Sequence, residues 1–319
     1  MFNLGMAYLF LGTAYASSVS DPLPSWNEGQ VKHAIIRFVE EATCSGGAHY
    51  IAPADRIATF DNDGTLWVEQ PMYTEVLFSF EQIKALMPAH PEWKTQSPFK
   101  EIAANDYSHL DKKSLMEVWV VTHSGMSVEQ FEEVAKKWLA TAKDKRFKQH
   151  YTSLVYQPML EVMDYLRKNK FKVFIVSGGG QEFVRAYAEK TYDVPPENVI
   201  GTVLKTHYVY QKGEPQLINM PSILFIDNEE GKPEAIQLFF GKKPVIAFGN
   251  SDGDRQMLEW TQSNKGPHLM LLVHHDDAQR EYAYDTQSKV GTFSASLMEE
   301  AKNKHWDVIS MKQDWKTIF

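Results

Sequence analysis

One cysteine, Cys44, occurs in 319 residues, so no disulfide can form within the chain; a lone thiol outside any motif reads as a packed small side chain. A basic surplus is also missing. Lysine and arginine number 33 against 41 aspartates and glutamates, a formal net charge of -8, which leaves no diffuse field for nucleic acid or anionic lipid and favours a small substrate. The apolar run at the front, residues 1–12, is shorter than the about 20 residues a spanning helix needs, so no stable membrane span is expected. Internal repeats and low-complexity tracts are absent. What is present, 43% hydrophobic and 23% charged residues, is ordinary for a globular protein with a substantial core, and the length suits a core with an inserted second unit.

The front run is followed by Ala14-Tyr15-Ala16, a small-x-small pattern before a Ser-rich stretch. The expectation is a secretory signal peptide over residues 1–16, cleaved after Ala16, although no Lys or Arg precedes the apolar run. An uncleaved N-terminal segment is the competing reading. Export without disulfides suits a bacterial periplasm.

Apolar residues at Val31, Ala34, Ile35, Phe38, Val39 and Ala42 have helical spacing and predict a helix over 27–43. Arg56–Phe60 is short, apolar and β-prone and stops at a polar Asp-Asn-Asp-Gly run, as a strand ends in a loop. From 69 to 150 the pattern is helical, with segments at Glu75–Met87, Lys113–Val121 and Ser127–Thr141, the last opening on a Ser127…Gln130 capping box. Alternation follows: helix Met159–Lys168, strand Lys172–Val176, helix Gln181–Thr191, and a hairpin-like stretch Val203–Ile218. Strand Ile223–Ile226 then leads to helix Pro233–Phe240, strand Pro244–Phe248, helix Asp254–Thr261 and strand Leu269–Val273. Such alternation predicts an α/β fold, a doubly wound parallel sheet with helices on both faces and ligands beyond the carboxyl ends of its strands.

Four places where apolar strands stop carry polar or glycine-rich groups. They are Asp61, Asp63 and Thr65; Ser177-Gly178-Gly179-Gly180; Lys232 at a helix start; and Gly249-Asn250-Ser251-Asp252-Gly253-Asp254. Alone, Asp-x-Asp-Gly is more often an Asx turn, the glycine run a flexible loop, Lys232 a solvated lysine, and the last segment a calcium-loop fragment lacking its terminal Glu. In this order they resemble motifs I to IV of the haloacid dehalogenase superfamily. The nearest subgroup is the phosphoserine-phosphatase-like hydrolases, which the tail His274–Asp285 also resembles.

The resemblance implies a Rossmann-like core, residues 22–68 and 151–319, with an inserted helical C1 cap over 69–150. It further implies a Mg²⁺-dependent hydrolase of small phosphorylated substrates working through an aspartyl-phosphate. Asp61 is then the nucleophile, Asp63 the general acid/base, and Thr65, Ser177 and Gly178 the phosphate contacts, with Lys232 balancing charge. Metal ligands would come from Asp61, Asp63 and motif IV, where Asn250 stands at the position of the usual acid and leaves Asp252 and Asp254 as alternatives. The chemistry agrees. Phosphoryl transfer depends on in-line positioning and charge neutralisation, a carboxylate nucleophile divides hydrolysis into two steps, and a second acid protonates the leaving alkoxide. A phosphotransferase or a non-catalytic phosphate- or metal-binding protein is the alternative. In phosphoserine phosphatases an acid shortly after motif I holds the substrate's amino group; that position carries Gln70 here, with Glu69 as a substitute. His274 and His275 are given no role.

Overall fold

The computed structural model describes residues 21–319, and the predicted signal segment lies outside them. Helix α1 (Gln30–Thr43) precedes β1 (Ile57–Phe60). Helices α2 (Thr74–Leu86), α3 (Phe99–Ala103), α4 (Lys112–His123) and α5 (Val128–Leu139) follow. Next come α6 (Gln157–Lys168), β2 (Lys172–Gly180), α7 (Gln181–Tyr192), β3 (Val199–Gln211) and β4 (Glu214–Phe225). The chain closes with α8 (Gly231–Phe240), β5 (Ile246–Gly249), α9 (Arg255–Gln262), β6 (Leu269–His274), α10 (Ala295–Asn303), β7 (Asp307–Ser310) and α11 (Met311–Asp314).

The strands form one sheet in the order β4-β3-β2-β1-β5-β6-β7, parallel throughout except for β3 against β4. Strand β1 lies between β2 and β5, with Phe60 opposite both Ile175 and Phe248. Strand order reverses there, so the crevice beyond β1 and β5 is where such a sheet binds ligands. Both faces are covered because each strand is apolar at successive positions. Ile246, Phe248, Leu271 and Val273 join α1, α6 and α7 in one core, while Ala247, Met270 and Leu272 join α8, α9 and α10 in another. Phe60 and Phe248 stack across β1 and β5 at 4.5 Å between centroids, directly beneath the first acidic residue.

The helices between β1 and β2 match the predicted insert in kind but divide in their packing. Phe80, Ile83, Trp93, Phe99, Ile102 and Val118 form a separate apolar cluster. Phe131, Ala135 and Leu139 of α5 instead join the main core beside Phe183. Ile223–Ile226 is not the parallel strand expected of it. Ile223 and Phe225 pair antiparallel with β3, because the hairpin is longer than its turn residues suggest and forms the sheet edge. Asn219 of β4 holds the α4–α5 turn by receiving Gly125 N–H at its carbonyl and donating its own N–H to the Met126 carbonyl. Strand β7 and helices α10 and α11 were not expected from the pattern. Among the described residues no helix is long and apolar enough to cross a membrane.

Replacing Phe248 by Ala removes a fully buried ring that anchors both strand ends of the crevice. Denaturant unfolding should show a loss of about 3–5 kcal/mol; a loss below 1 kcal/mol would show that the stack is not a support of the fold.

Candidate active site

Asp61 follows the last residue of β1, and its amide donates to the Phe248 carbonyl at 2.9 Å, continuing the sheet for one more bond. The chain then turns sharply: Leu66 N–H donates to the Asn62 carbonyl at 2.8 Å, and Gly64 sits at φ 77°, a left-handed conformation that favours glycine. The turn brings Asp63 back beside β2, where its Oδ1 accepts from Trp67 Nε1 at 2.8 Å. Thr65, buried under the turn, donates its hydroxyl to Asn250 Oδ1 at 3.1 Å.

Lys232 ties three strand ends together. Its buried ammonium donates to Asp61 Oδ1 at 2.6 Å, to Asp254 Oδ1 at 2.6 Å and to the Val176 carbonyl of β2 at 2.8 Å. The other oxygen of Asp254 accepts from the amides of Asn250 at 2.9 Å and Ser251 at 3.0 Å. Asp254 therefore organises its own loop and pairs with Lys232. Asp252, the other alternative, turns outward to accept from the Ser294 hydroxyl at 2.7 Å and lies beside Arg255. Asn250 is the motif IV side chain left facing Thr65.

On β2, Ser177 Oγ accepts from the Gly179 amide at 3.1 Å, folding the glycine run inward. A Cβ on Gly179 would lie 3.0 Å from Glu75 Oε2, 3.3 Å from Ser177 Oγ and 3.6 Å from Asp63 Oδ2, so these three groups face one point. Gly178 is packed against Asn228, whose Oδ1 would lie 3.2 Å from its Cβ.

Among the side chains that gather here, Glu75 carried no usable signal in the sequence. Glu75 on α2 accepts from Trp119 Nε1 at 2.8 Å and shares a 3.0 Å contact with His123 Nε2, both on α4, while its other oxygen accepts from Gly180 N–H at 2.8 Å. Spacing along α2 marks it as helical, and only the fold brings it to the glycine run. His275, at the end of β6, donates from Nε2 to the Gly64 carbonyl at 2.7 Å and meets Glu281 through Nδ1 at 3.1 Å. His274 packs its ring against Phe293. Glu69 is buried and accepts at Oε1 from the Tyr284 hydroxyl at 2.6 Å and from Asn250 Nδ2 at 2.7 Å. Gln70 donates to Ser288 and to the Val290 carbonyl.

The electrostatics follow from burial with too few cations. Desolvation pushes the Asp61 carboxyl up, and nearby Asp254 adds to this, while Lys232 opposes. Between the same carboxylates, Lys232 is held above the usual lysine range, its own desolvation outweighed by Asp254 and Asp61. Desolvation also pushes Asp63 up to about 6, with the Trp67 hydrogen bond opposing and Glu75 adding. Glu69 is raised well above the usual range by burial, with Asp63 and Asp61 adding to it. One lysine against this many buried acids leaves negative charge to be compensated. Among the described residues no three Asp, Glu, His or Cys side chains form a ready-made metal cage. The Asp61 carboxylate, the Asn250 amide oxygen and the backbone carbonyls of the turn are all oxygen donors, a set that suits a hard cation keeping several waters.

Asp227, two residues past β4, is fully buried and its carboxylate makes no ion pair or well-formed hydrogen bond, the Ser177 amide being its nearest donor. Desolvation pushes it up to about 7 against the pull of Lys232. A raised folded-state value means its stability contribution is complete below the unfolded value of 3.8 and is lost as pH rises through about 7. Asp227→Asn has no such loss, so melting should show the variant equal to the parent near pH 4 and more stable by roughly 1–3 kcal/mol at pH 8. Equal stability at pH 8 would refute the buried, unpaired carboxylate.

Compared with known protein families, residues 58–259 match the one described as haloacid dehalogenase-like hydrolase. No curated protein matches the chain. Among solved structures, a conserved functionally unknown protein from Anaerococcus prevotii is similar at a TM-score of 0.58 and 16% identity, over 88% of this chain and 91% of its own. A protein of unknown function from Bordetella pertussis gives 0.50 at 14% identity, over 80% and 98%. A phosphoserine phosphohydrolase-like protein from Francisella tularensis gives 0.38 at 17% identity, over 69% and 88%.

Proposed function

The chain belongs to the haloacid dehalogenase-like hydrolase family, and from that premise we propose that it is a Mg²⁺-dependent phosphohydrolase of small phosphomonoesters with Asp61 as nucleophile. The observation that carries this reading is the buried Lys232 ammonium, 2.6 Å from both Asp61 and Asp254, which sets a carboxylate at the end of β1 with one oxygen paired and the other left to react.

Asp61 attacks phosphorus through the oxygen not held by Lys232, forming an aspartyl-phosphate and releasing an alkoxide. Asp63, with its carboxyl raised to about 6, carries the proton that the alkoxide takes and recovers one from the water that hydrolyses the intermediate. Ser177, Thr65 and the Gly178 amide contact phosphate oxygens, and Lys232 offsets their charge. Asp61, Asn250 and the Asp63 carbonyl would hold Mg²⁺, whose charge lowers repulsion between an anionic nucleophile and an anionic phosphate. The second acid favours hydrolysis of an alkoxide ester over dehalogenation, which has no alkoxide to protonate.

Residues 69–150 are proposed to act as a cap. Glu75 supports this, since it reaches from α2 to the Gly180 amide while holding Trp119 and His123 of α4. A covered site favours small substrates over phosphoproteins. Residues 1–16 are proposed as an export signal for a bacterial periplasm; sequencing the N-terminus of secreted material should read from Ser17.

Phosphate release from a panel of small monoesters should require Mg²⁺ and vanish in Asp61→Asn; turnover without metal, or undiminished in that variant, would sink the mechanism. Asp63→Asn should lower kcat by about 10²–10⁴ on alkyl phosphates. The loss should be smaller on p-nitrophenyl phosphate, whose leaving group needs less proton help, and equal losses on the two would remove Asp63 from the acid role.

A further inference from the structure

Glu69 is a carboxylate in a place that gives it no cation. It is 2% exposed, and its two donors, the Tyr284 hydroxyl and Asn250 Nδ2, are neutral. Among the described residues it makes no ion pair, and the charges acting on it, Asp63 and Asp61, share its sign. Lys232 is engaged by Asp61 and Asp254 instead. Burying such a charge unpaired is expensive, and a neutral glutamine of the same size would fill the space without that expense.

The surrounding backbone is shaped around this carboxylate. A Cβ on Gly64 would come within 2.3 Å of Glu69 Oε1, and one on Gly291 within 1.8 Å. Both glycines stand at positive φ, so two separate loops pass closely over the same oxygen. Asn250 is where these contacts meet the catalytic turn. Asn250 presents Nδ2 to Glu69, and this turns Oδ1 toward Thr65 and motif I. The orientation of the Asn250 amide oxygen is thus set by Glu69.

We propose that Glu69 is a positioning residue for the bound cation, holding Asn250 by its amide nitrogen so that the amide oxygen faces inward. The inference rests on reading Asp61 and Asn250 as the cation site. Together Glu69 and Asn250 hold one carboxylate and one amide. Exchanging them keeps the charge, the hydrogen bond and nearly the same volume.

Mg²⁺ binding measured by calorimetry without substrate tests this in the full chain, using Glu69→Gln, Asn250→Asp and the double variant, with metal-free melting curves to report folding. Glu69→Gln should bind Mg²⁺ about 10–100-fold more weakly, the range for outer-sphere partners of a metal ligand. Asn250→Asp alone sets two buried carboxylates against each other and should melt lower without metal. The double variant should regain affinity to within a few-fold of the parent, which a purely structural role for Glu69 does not predict. Undiminished binding in Glu69→Gln would overturn the inference, as would a double variant at least tenfold weaker than the parent, and the latter comparison holds even if a single variant fails to fold. If the parent binds no Mg²⁺, this inference and the metal-dependent reading fall together; if the parent binds and Glu69→Gln matches it, only this inference falls.

Discussion

Lys232 lies buried between Asp61 and Asp254, and the arrangement of the crevice depends on that ion triad. Removing three charges from water is costly, and the triad is tolerable because two of its members have further hydrogen bonds, the Val176 carbonyl for the lysine and two loop amides for Asp254. The consequence is rigidity. Strands β1, β2 and β5 cannot shift against one another without leaving a buried charge unpaired, so the Asp61 carboxylate is held in place.

Around this triad lies an excess of acid. Asp63, Glu69, Glu75 and Asp227 all crowd a volume with one lysine, and burial raises Asp63, Glu69 and Asp227 above their ordinary values. A fold selected for stability alone has little reason to keep such a group, whereas a site that must accept a cation and handle protons does. The excess is supported from outside the four motifs. His275 holds the Gly64 carbonyl, Tyr284 holds Glu69, and Glu75 holds the Gly180 amide while engaging α4. These residues come from the end of β6, the loop after it and the insert, three regions that share nothing in sequence.

The insert illustrates how one stretch of chain serves two purposes. Helix α5 belongs to the main core, so it is anchored, while the cluster around Phe80 and Trp93 buries its own apolar surface. The long β3–β4 hairpin braces the turn between α4 and α5. The insert therefore hangs from the core at α5 and from the sheet edge at β4.

Much of this was legible in the sequence because it is local. Strand-then-polar breaks at Asp61, Ser177 and Asn250 follow from apolar runs that stop, and the helices of the insert from spacing of apolar residues near 3.6. Ile223–Ile226 misled because a short apolar run has the same appearance in a central parallel strand and in the edge arm of a hairpin. Partner choice in motif IV was beyond reach for a different reason. Asn250, Asp252 and Asp254 lie within five positions of one another and differ in role only by which way the loop turns them, and the turn is set by Lys232 and Ser294 from distant parts of the chain. The sequence by itself determined the place of Asp61 at a strand end, the α/β alternation and the order of the motifs. Only the tertiary structure decided that Asp254 pairs with lysine, that Asp252 faces away and that Glu69 stands behind Asn250, because those outcomes depend on hydrogen bonds between segments separated by tens to hundreds of residues.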